Sequence, residues 1–348
     1  MLIYWVLFFV PVYFLFAKVK GGTHTSKLEW RIFGFFLIIL IGLRHRVGGD
    51  WYSYLEGLVL INDIQWKDLF SMRETGFKLI SSFSTKLGTS IYGVNLICAI
   101  IFTGGLLNLS RVQPYPWLAI LVAIPYLIIV VAMGYTRQAA AIGFLMYAFG
   151  QLARGRVVAY LALVLMAGSM HSTAFVFAAL VMFRPGISKW KGVLGIGSLV
   201  GLLGGTYLLE QAETYMLYYV EEAMESGGGQ IRALMNLVPA LIFFAHWKKW
   251  GQMFDDRWLW CLIAIFATLC VPLIFVASTA VDRMALYLIP LQLVVWSRLP
   301  MLAQGSINRT LSFLVITLYY AAAQFTYLNY GYFVAAWIPY DNILFPSF

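Results

Sequence analysis

Long apolar segments separated by short charged ones set the main constraint on this chain. The segments 32–42 (IFGFFLIILIG) and 117–133 carry no charge. Hydrophobic residues make up 61% of the chain and charged residues 11%, and the mean hydropathy is +0.81. A soluble core does not need this much apolar surface, and a β-barrel shows short alternating strands instead. The sequence predicts an all-α polytopic integral membrane protein, with residues 1–348 as a single transmembrane domain.

The distribution of lysine and arginine predicts which helix ends face the cytoplasm. Lys18, Lys20, Lys27 and Arg31 place the first loop inside. Residues 1–17 then form a retained first helix, because no basic residue precedes their apolar run. When successive loops are assigned alternately to the cytoplasmic and outer sides, the sequence predicts about 10–12 transmembrane helices. Residues 44–89 become an outer-face segment, whose amphipathic stretches lie on the interface or dip into the membrane as a pair, and residues 210–229 an acidic outer loop.

The segment 157–183 breaks this alternation. It is apolar, but Arg154 and Arg156 precede it and Arg184 follows it, so a single crossing would put one basic cluster on the wrong side. Two half-helices that meet near His171 would return the chain to the cytoplasm. Because irregular backbone at membrane depth is tolerated where it lines a protein cavity, we expect a re-entrant or broken helix pair there.

Ionisable residues collect on the predicted outer face, where the topology rule disfavours basic ones. They are Arg44, Arg46, Asp50, Arg137, His171, Asp282 and Arg283. Charged groups beside the membrane are costly and usually functional. Paired arginines next to flexible glycines suit an anionic group such as a diphosphate. The cluster therefore predicts an anion-binding site on the outer face.

Each of these residues also has a simpler interpretation. Arg44 and Arg46 could be an interfacial pair, and Arg137, at the start of a helix that favours anions, could be a snorkelling arginine. Asp50 could cap the following helix or act as a base. His171 could be a hydrogen-bonded polar kink. The remaining alternatives are a local ion pair for Asp282 and Arg283, and helix capping for Glu74.

Other chemistries lack their motifs in this sequence. There is no Walker loop, HExxH, GxSxG or DxD segment, and no basic nucleic-acid-binding arm. Cys98, Cys261 and Cys270 lie in apolar segments without metal or disulfide spacing, so we interpret them as packing residues. We expect no metal, no cofactor and no nucleic-acid partner.

Six segments, in order from residue 42 to 340, resemble the motifs of the EpsG/Wzy-type exopolysaccharide and O-antigen polymerases. GLRHRVGGDWYSY is similar to the G-x-R-x-x-V-G-x-D-[YW]-x-x-Y block of that family. RETGFKLI resembles its E-P-G-F-like segment, with Thr75 in place of proline. GYTRQAAAIGF, SMHSTAF, VDRMALYLIP and WIPY resemble the remaining blocks.

The resemblance implies a metal-independent, GT-C-like membrane glycosyltransferase on the periplasmic side of the bacterial inner membrane. Such a polymerase transfers a glycan from its polyprenyl-diphosphate carrier to a sugar hydroxyl of another lipid-linked repeat unit. It also implies a chain-length-regulating co-polymerase as a partner. On this basis the predicted roles are diphosphate binding by Arg44, Arg46, Arg137 and Arg283, proton acceptance by Asp50 or His171, sugar stacking on Trp51, Tyr52 and Tyr54, and support from Glu74 and Asp282.

Two other function classes fit parts of this pattern. A flippase or transporter of the same lipid-linked oligosaccharide also needs arginines in a cavity, but it needs access from both faces, whereas this charged cluster is one-sided. A glycan ligase shares the arginine and histidine chemistry and usually has one long outer loop. The roughly 20-residue outer loop predicted here weakly favours the polymerase.

Overall fold

The computed structural model describes residues 1–19, 26–62, 64–70, 72–186, 229–275, 278–302 and 306–345. These residues form helices and connecting turns, and no strand. The helices are α1 (Leu2–Val19), α2 (Lys27–Gly42), α3 (Trp51–Asn62), α4 (Trp66–Leu69), α5 (Thr75–Lys86), α6 (Ser90–Arg111), α7 (Pro116–Ala123), a π-helix (Ile124–Ala132), α8 (Thr136–Ala153), α9 (Val157–Met170), a 3-10 helix (Ser172–Phe183), α10 (Gly229–Ala245), α11 (Trp247–Met253), α12 (Arg257–Leu273), α13 (Ser278–Leu286), α14 (Pro290–Leu302), α15 (Ser306–Tyr330) and a 3-10 turn (Val334–Ala336).

The centre of the bundle is the continuous rod made by α7 and the π-helix. Nearly every side chain from Trp117 to Met133 is buried. A helix that is apolar all round is stable only when other helices surround it, and α1, α6, α8, α14 and α15 pack against this rod. The peripheral helix α15 instead leaves most of its side chains on the outside of the bundle. The uncharged run at 117–133 is thus a core element.

The helix lengths fit a membrane protein. Among the described residues, Ser90–Arg111 and Ile307–Tyr330 are long and apolar enough to cross a bilayer. Ser278–Leu286 and Pro290–Leu302 pass the same test together but are bent by 50° at their junction, and six further helices are shorter and apolar. The predicted all-α polytopic membrane fold is confirmed.

The predicted broken helix pair is also present. α9 ends at Met170, His171 adopts extended backbone (φ −149°, ψ 115°), and a 3-10 helix follows. The two arms run antiparallel, because the Tyr160 hydroxyl donates a hydrogen bond to the Phe177 carbonyl, 17 residues further along the chain. Arg184 accordingly returns to lie beside Gly155.

The bundle has two ends with different polar contacts. At one, which we call the inner end, Arg298 donates to both carboxylate oxygens of Asp256 (2.6 Å each) and to Gln113 Oε1 (3.0 Å). Trp260 Nε1 donates to the same Asp256 carboxylate (2.8 Å). All four residues lie at helix ends predicted to face the cytoplasm.

The opposite end, the outer end, carries the segments predicted to face outward. Here α3 and α5 from the predicted outer segment 44–89 pack against each other and against α6. The predicted acidic loop at 210–229, apart from Gly229, and the apolar run before it lie outside the described residues.

Candidate functional site

The motif loop (residues 43–50) follows α2 at the outer end and is held by close backbone contacts. Gly48 has φ +106°, and a Cβ at this position would overlap the Met133 carbonyl oxygen. Its N–H donates to the Ala336 carbonyl (2.8 Å). A residue with a side chain fits neither the left-handed backbone nor the contact. Gly48 therefore fixes the backbone that leads to Asp50, directly before α3.

Arg44 lies inside the protein rather than in an open site. It is 2% exposed, and its guanidinium donates to the Val47 carbonyl (3.1 Å), the Ile41 carbonyl (2.5 Å), Asn95 Oδ1 (3.2 Å) and Thr136 Oγ1 (2.8 Å). Donors already used by protein oxygens do not reach a ligand. This geometry differs from the predicted diphosphate-binding role, and Arg44 instead joins the ends of α2, α6 and α8.

Arg46 and the two aromatic residues at the start of α3 each have different surroundings. Arg46 is exposed in the left-handed region (φ 52°) and its charge acts on Tyr92. Trp51 is buried, with its ring centroid 5.8 Å from His45 and 5.9 Å from Tyr92, whereas Tyr52 is 62% exposed. Successive helical residues point about 100° apart, so the predicted aromatic residues do not form one continuous wall.

Asp50, Tyr54 and Arg137 form the first part of the candidate site. The Tyr54 hydroxyl donates to Asp50 Oδ2 (3.4 Å) and accepts from the Arg137 backbone N–H (3.4 Å). The Arg137 guanidinium carbon lies 5.5 Å from the Tyr54 ring centroid and 5.8 Å from that of Phe77. Because Arg137 is the second residue of α8, the helix N-terminus adds positive potential beside its charge.

Glu74 binds Arg137 from the other side. Its Oε2 lies 2.7 Å from Arg137 Nη1, and the Glu74 side chain is 12% exposed while that of Arg137 is 41% exposed. Glu74 precedes α5 in left-handed backbone (φ 54°), and its side chain makes no capping hydrogen bond. The capping interpretation of Glu74 is therefore wrong, because its carboxylate is turned towards the arginine.

His171 occupies the break between α9 and the 3-10 helix, at the same end of the bundle. Its Nδ1 lies 2.8 Å from Thr173 Oγ1 and 3.0 Å from the Tyr287 hydroxyl, which are themselves 3.1 Å apart. These contacts fix the ring through Nδ1 and leave Nε2 as its other functional atom. Gly76 of the Glu74 segment packs against Ser169 and Met170, which brings that segment next to the break.

Asp282 and Arg283 do not form the local ion pair that was their simpler interpretation. The Asp282 carboxylate accepts two hydrogen bonds from the Arg232 guanidinium of α10. Arg283 is exposed, and its backbone carbonyl accepts from Gln138 Nε2 (2.6 Å), so it lies beside the start of α8. Adjacent residues of a helix point in different directions, which separates the two side chains.

Electrostatic interactions join these groups into one cluster. The charges of Glu74, Arg137 and Arg283 all act on His171. Burial raises the pKa of the Asp50 carboxyl above its ordinary value, and the charges of Arg137 and Arg283, together with the Tyr54 hydrogen bond, oppose this rise. Asp50 and His171, the two candidate proton acceptors, thus share the electrostatic influence of Arg137 and Arg283. In the described part of the chain, no group of three or more histidine, cysteine or acidic residues is arranged to hold a metal ion.

Four residues of this region were not predicted from the sequence as site residues. Arg232 pairs with Asp282 and lies 5.9 Å from the ring centroid of Tyr126 in the π-helix, while Thr173 and Tyr287 orient His171. Arg232 follows the predicted acidic loop and belongs to none of the six motif segments. Tyr287 lies in the segment VDRMALYLIP, and the resemblance of this segment to a family motif was the signal that could have identified it.

Comparison with known protein families gives a match. A model described as the EpsG family matches residues 27–342, which include all six motif segments. No curated protein and no solved structure matches the chain.

Proposed function

The chain belongs to the EpsG family, and from this premise we propose that it is a polysaccharide polymerase of the bacterial inner membrane. It takes a glycan from a polyprenyl-diphosphate carrier and transfers it to a sugar hydroxyl of another lipid-linked repeat unit. The reaction takes place at the outer end of the bundle, on the periplasmic face. The product is an exopolysaccharide or an O-antigen.

One observation carries this proposal. Asp50 and Arg137 both contact Tyr54, and Arg283 lies beside Gln138 at the start of α8. Glu74, which pairs with Arg137, begins the segment that packs beside the break at His171. The reaction needs both kinds of group. A diphosphate leaving group needs cations, and a sugar hydroxyl needs a proton acceptor.

The arginines act on the leaving group. As the bond between the sugar C1 and the diphosphate oxygen breaks, its electron pair stays on the diphosphate and negative charge increases there. Arg137 and Arg283 are exposed enough to contact the diphosphate. The N-terminus of α8 adds positive potential beside Arg137. Fixed cations that bind the departing group more strongly than the bound substrate accelerate the step. Arg44 contributes indirectly, by holding the start of α8 through Thr136.

The acceptor hydroxyl loses its proton as its oxygen bonds to C1. His171 can take this proton on Nε2, because Thr173 and Tyr287 hold the ring through Nδ1. Asp50 can take it instead, since burial makes its carboxylate more basic than usual. Both remain proposed as the base. Among the three aromatic residues we propose Tyr54 for sugar contact, because its hydroxyl lies between Asp50 and Arg137.

The proposed partners follow from the reaction. They are the lipid-linked oligosaccharide, the bilayer that presents it, and a co-polymerase that regulates chain length. In this proposal arginine side chains compensate the negative charge of the diphosphate, and no metal or cofactor takes part.

Reconstitution tests the proposal. Purified protein in lipid nanodiscs is incubated with the lipid-linked repeat pool from a host lacking this gene, and the glycans are separated on a gel. We expect a ladder at one-repeat spacing that Arg137→Ala abolishes and Arg111→Ala, at the inner end, retains. Transfer of a single unit to a different acceptor would identify a ligase. Protein-dependent movement of the lipid between leaflets without any ladder would identify a flippase.

A further inference from the structure

The outer tail (residues 331–345) follows α15 and returns to the motif loop. Backbone hydrogen bonds join the two segments along their length. They run from Gly48 N to Ala336 O (2.8 Å), from His45 N to Asp341 O (2.9 Å) and from Ile343 N to Leu43 O (3.0 Å). The tail is therefore part of the structure that supports Asp50.

Trp337 is a large, deeply buried residue of the tail. It is 2% exposed, its indole Nε1 donates to the Ile129 carbonyl of the π-helix (2.7 Å), and its own carbonyl accepts from the Tyr4 hydroxyl (2.7 Å). The Tyr327 ring meets it edge-on at a centroid distance of 5.8 Å. Hydrogen bonds and ring packing thus hold the indole in one orientation.

The six-membered ring of this indole contacts both segments that carry the proposed site. A Cβ built on Gly134 would lie 2.5 Å from Trp337 Cζ2, and a Cβ built on Gly49 would lie 3.7 Å from Cη2. Gly49 directly precedes Asp50, and Gly134 lies two residues before the start of α8. The ring packs between Gly49 and Gly134, beside the direct backbone contact of Gly48 with Met133. The glycine contact and the size of the ring together set how closely the two backbones approach.

We propose that Trp337 is a positioning residue that sets the separation between Asp50 and Arg137. The inference rests on the function proposed above, in which Arg137 meets the leaving group beside Asp50. A buried tryptophan with a purely structural role would affect stability alone. A positioning role also changes turnover, because misplacing a reacting group by about 1 Å can cost roughly 100-fold in rate.

The test uses complementary changes in size. Trp337→Phe removes the ring atoms that face Gly134, while Gly134→Ala adds a methyl group that clashes with those atoms. We expect each single variant to lower kcat about tenfold or more, with a smaller change in KM for the lipid-linked repeat. The double variant should recover much of the loss, because the smaller ring makes room for the methyl group. Thermal unfolding of each variant measures the effect on stability separately.

A second measurement does not depend on activity. Hydrogen exchange of peptides spanning 43–50 and 133–137 should become faster in each single variant and return towards wild type in the double variant. If wild type forms no glycan ladder, the proposed function fails, while the exchange result still decides whether Trp337 fixes the two segments. Unchanged kcat in both single variants, or a double variant no better than Gly134→Ala in kcat and exchange, would overturn the inference.

Discussion

At the scale of single residues, the site is made of charges that are partly neutralised before any substrate arrives. Glu74 pairs with Arg137, and Asp282 pairs with Arg232, which leaves Arg283 exposed beside them. A carboxylate that holds a guanidinium in one orientation prepares it to bind phosphate oxygens through two parallel hydrogen bonds. We therefore interpret Glu74 as the residue that orients Arg137.

Removing the charge of Glu74 tests this interpretation. In Glu74→Gln the side chain keeps its size but loses the ion pair, so the guanidinium of Arg137 is no longer held in place. We expect kcat for polymerisation to fall roughly tenfold, a typical loss for an orienting partner. Glu56→Gln, on the exposed part of α3, is the matched control. A variant as fast as the control would assign Glu74 to stability alone.

The pH dependence of turnover distinguishes the two proposed bases. Asp50 accepts a proton only when ionised, and burial raises its pKa, so activity that depends on it is lost as pH falls through this raised pKa. Arg137 opposes the rise, so the acid limb of residual activity in Arg137→Gln should lie at higher pH than in wild type. Rate profiles of Asp50→Asn and His171→Gln complete the test. An acid limb that disappears only in His171→Gln would assign the base to His171.

At the scale of helices, the sequence predicted the break at His171 because basic residues flank the apolar segment on both sides. That signal depends on local charge, which topology constrains strongly. The sequence predicted the partners of individual charged side chains less well. Asp282 stands next to Arg283 in sequence but pairs with Arg232, which is 50 residues away. An arginine at the end of an apolar helix looks the same in sequence whether its donors face a ligand, as proposed for Arg137, or protein oxygens, as for Arg44.

Thiol labelling tests the hairpin formed by α9 and the following 3-10 helix. Because its arms run antiparallel, Arg154→Cys and Arg184→Cys, each in a background without native cysteines, should react with a membrane-impermeant reagent from the same side of the membrane. Tyr332→Cys, in the outer tail, should react from the opposite side. Labelling of positions 154 and 184 from different sides would mean that this segment crosses the membrane once.

At the scale of the whole molecule, the proposed chemistry and the buried Arg298–Asp256 ion pair lie at opposite ends. The pair holds α12 and α14 together and is largely shielded from solvent, with side-chain exposures of 6% for Arg298 and 18% for Asp256. Leaving one buried charge without its partner is strongly destabilising. The inner end is thus expected to govern stability rather than turnover.

A pair of variants tests this division. Asp256→Asn should lower the free energy of unfolding by about 3 kcal/mol, because Arg298 keeps its charge without a counter-charge. Turnover per folded molecule should stay close to wild type, and Asp256→Leu combined with Arg298→Met should restore stability. Unfolding in detergent and the glycan ladder provide the two measurements. A large loss of turnover per folded molecule would show that the two ends are coupled.

The contact between the motif loop and the outer tail has a consequence for biosynthesis. The ribosome makes the motif loop soon after α2, whereas residues 331–345 emerge only after α3 to α15 have been translated. Until the tail reaches the motif loop, the Gly48 amide lacks its Ala336 partner and the gap filled by Trp337 stays open. A nascent or partly inserted chain therefore carries the candidate site residues without the assembled site, and we expect the proposed activity to begin only after membrane integration is complete.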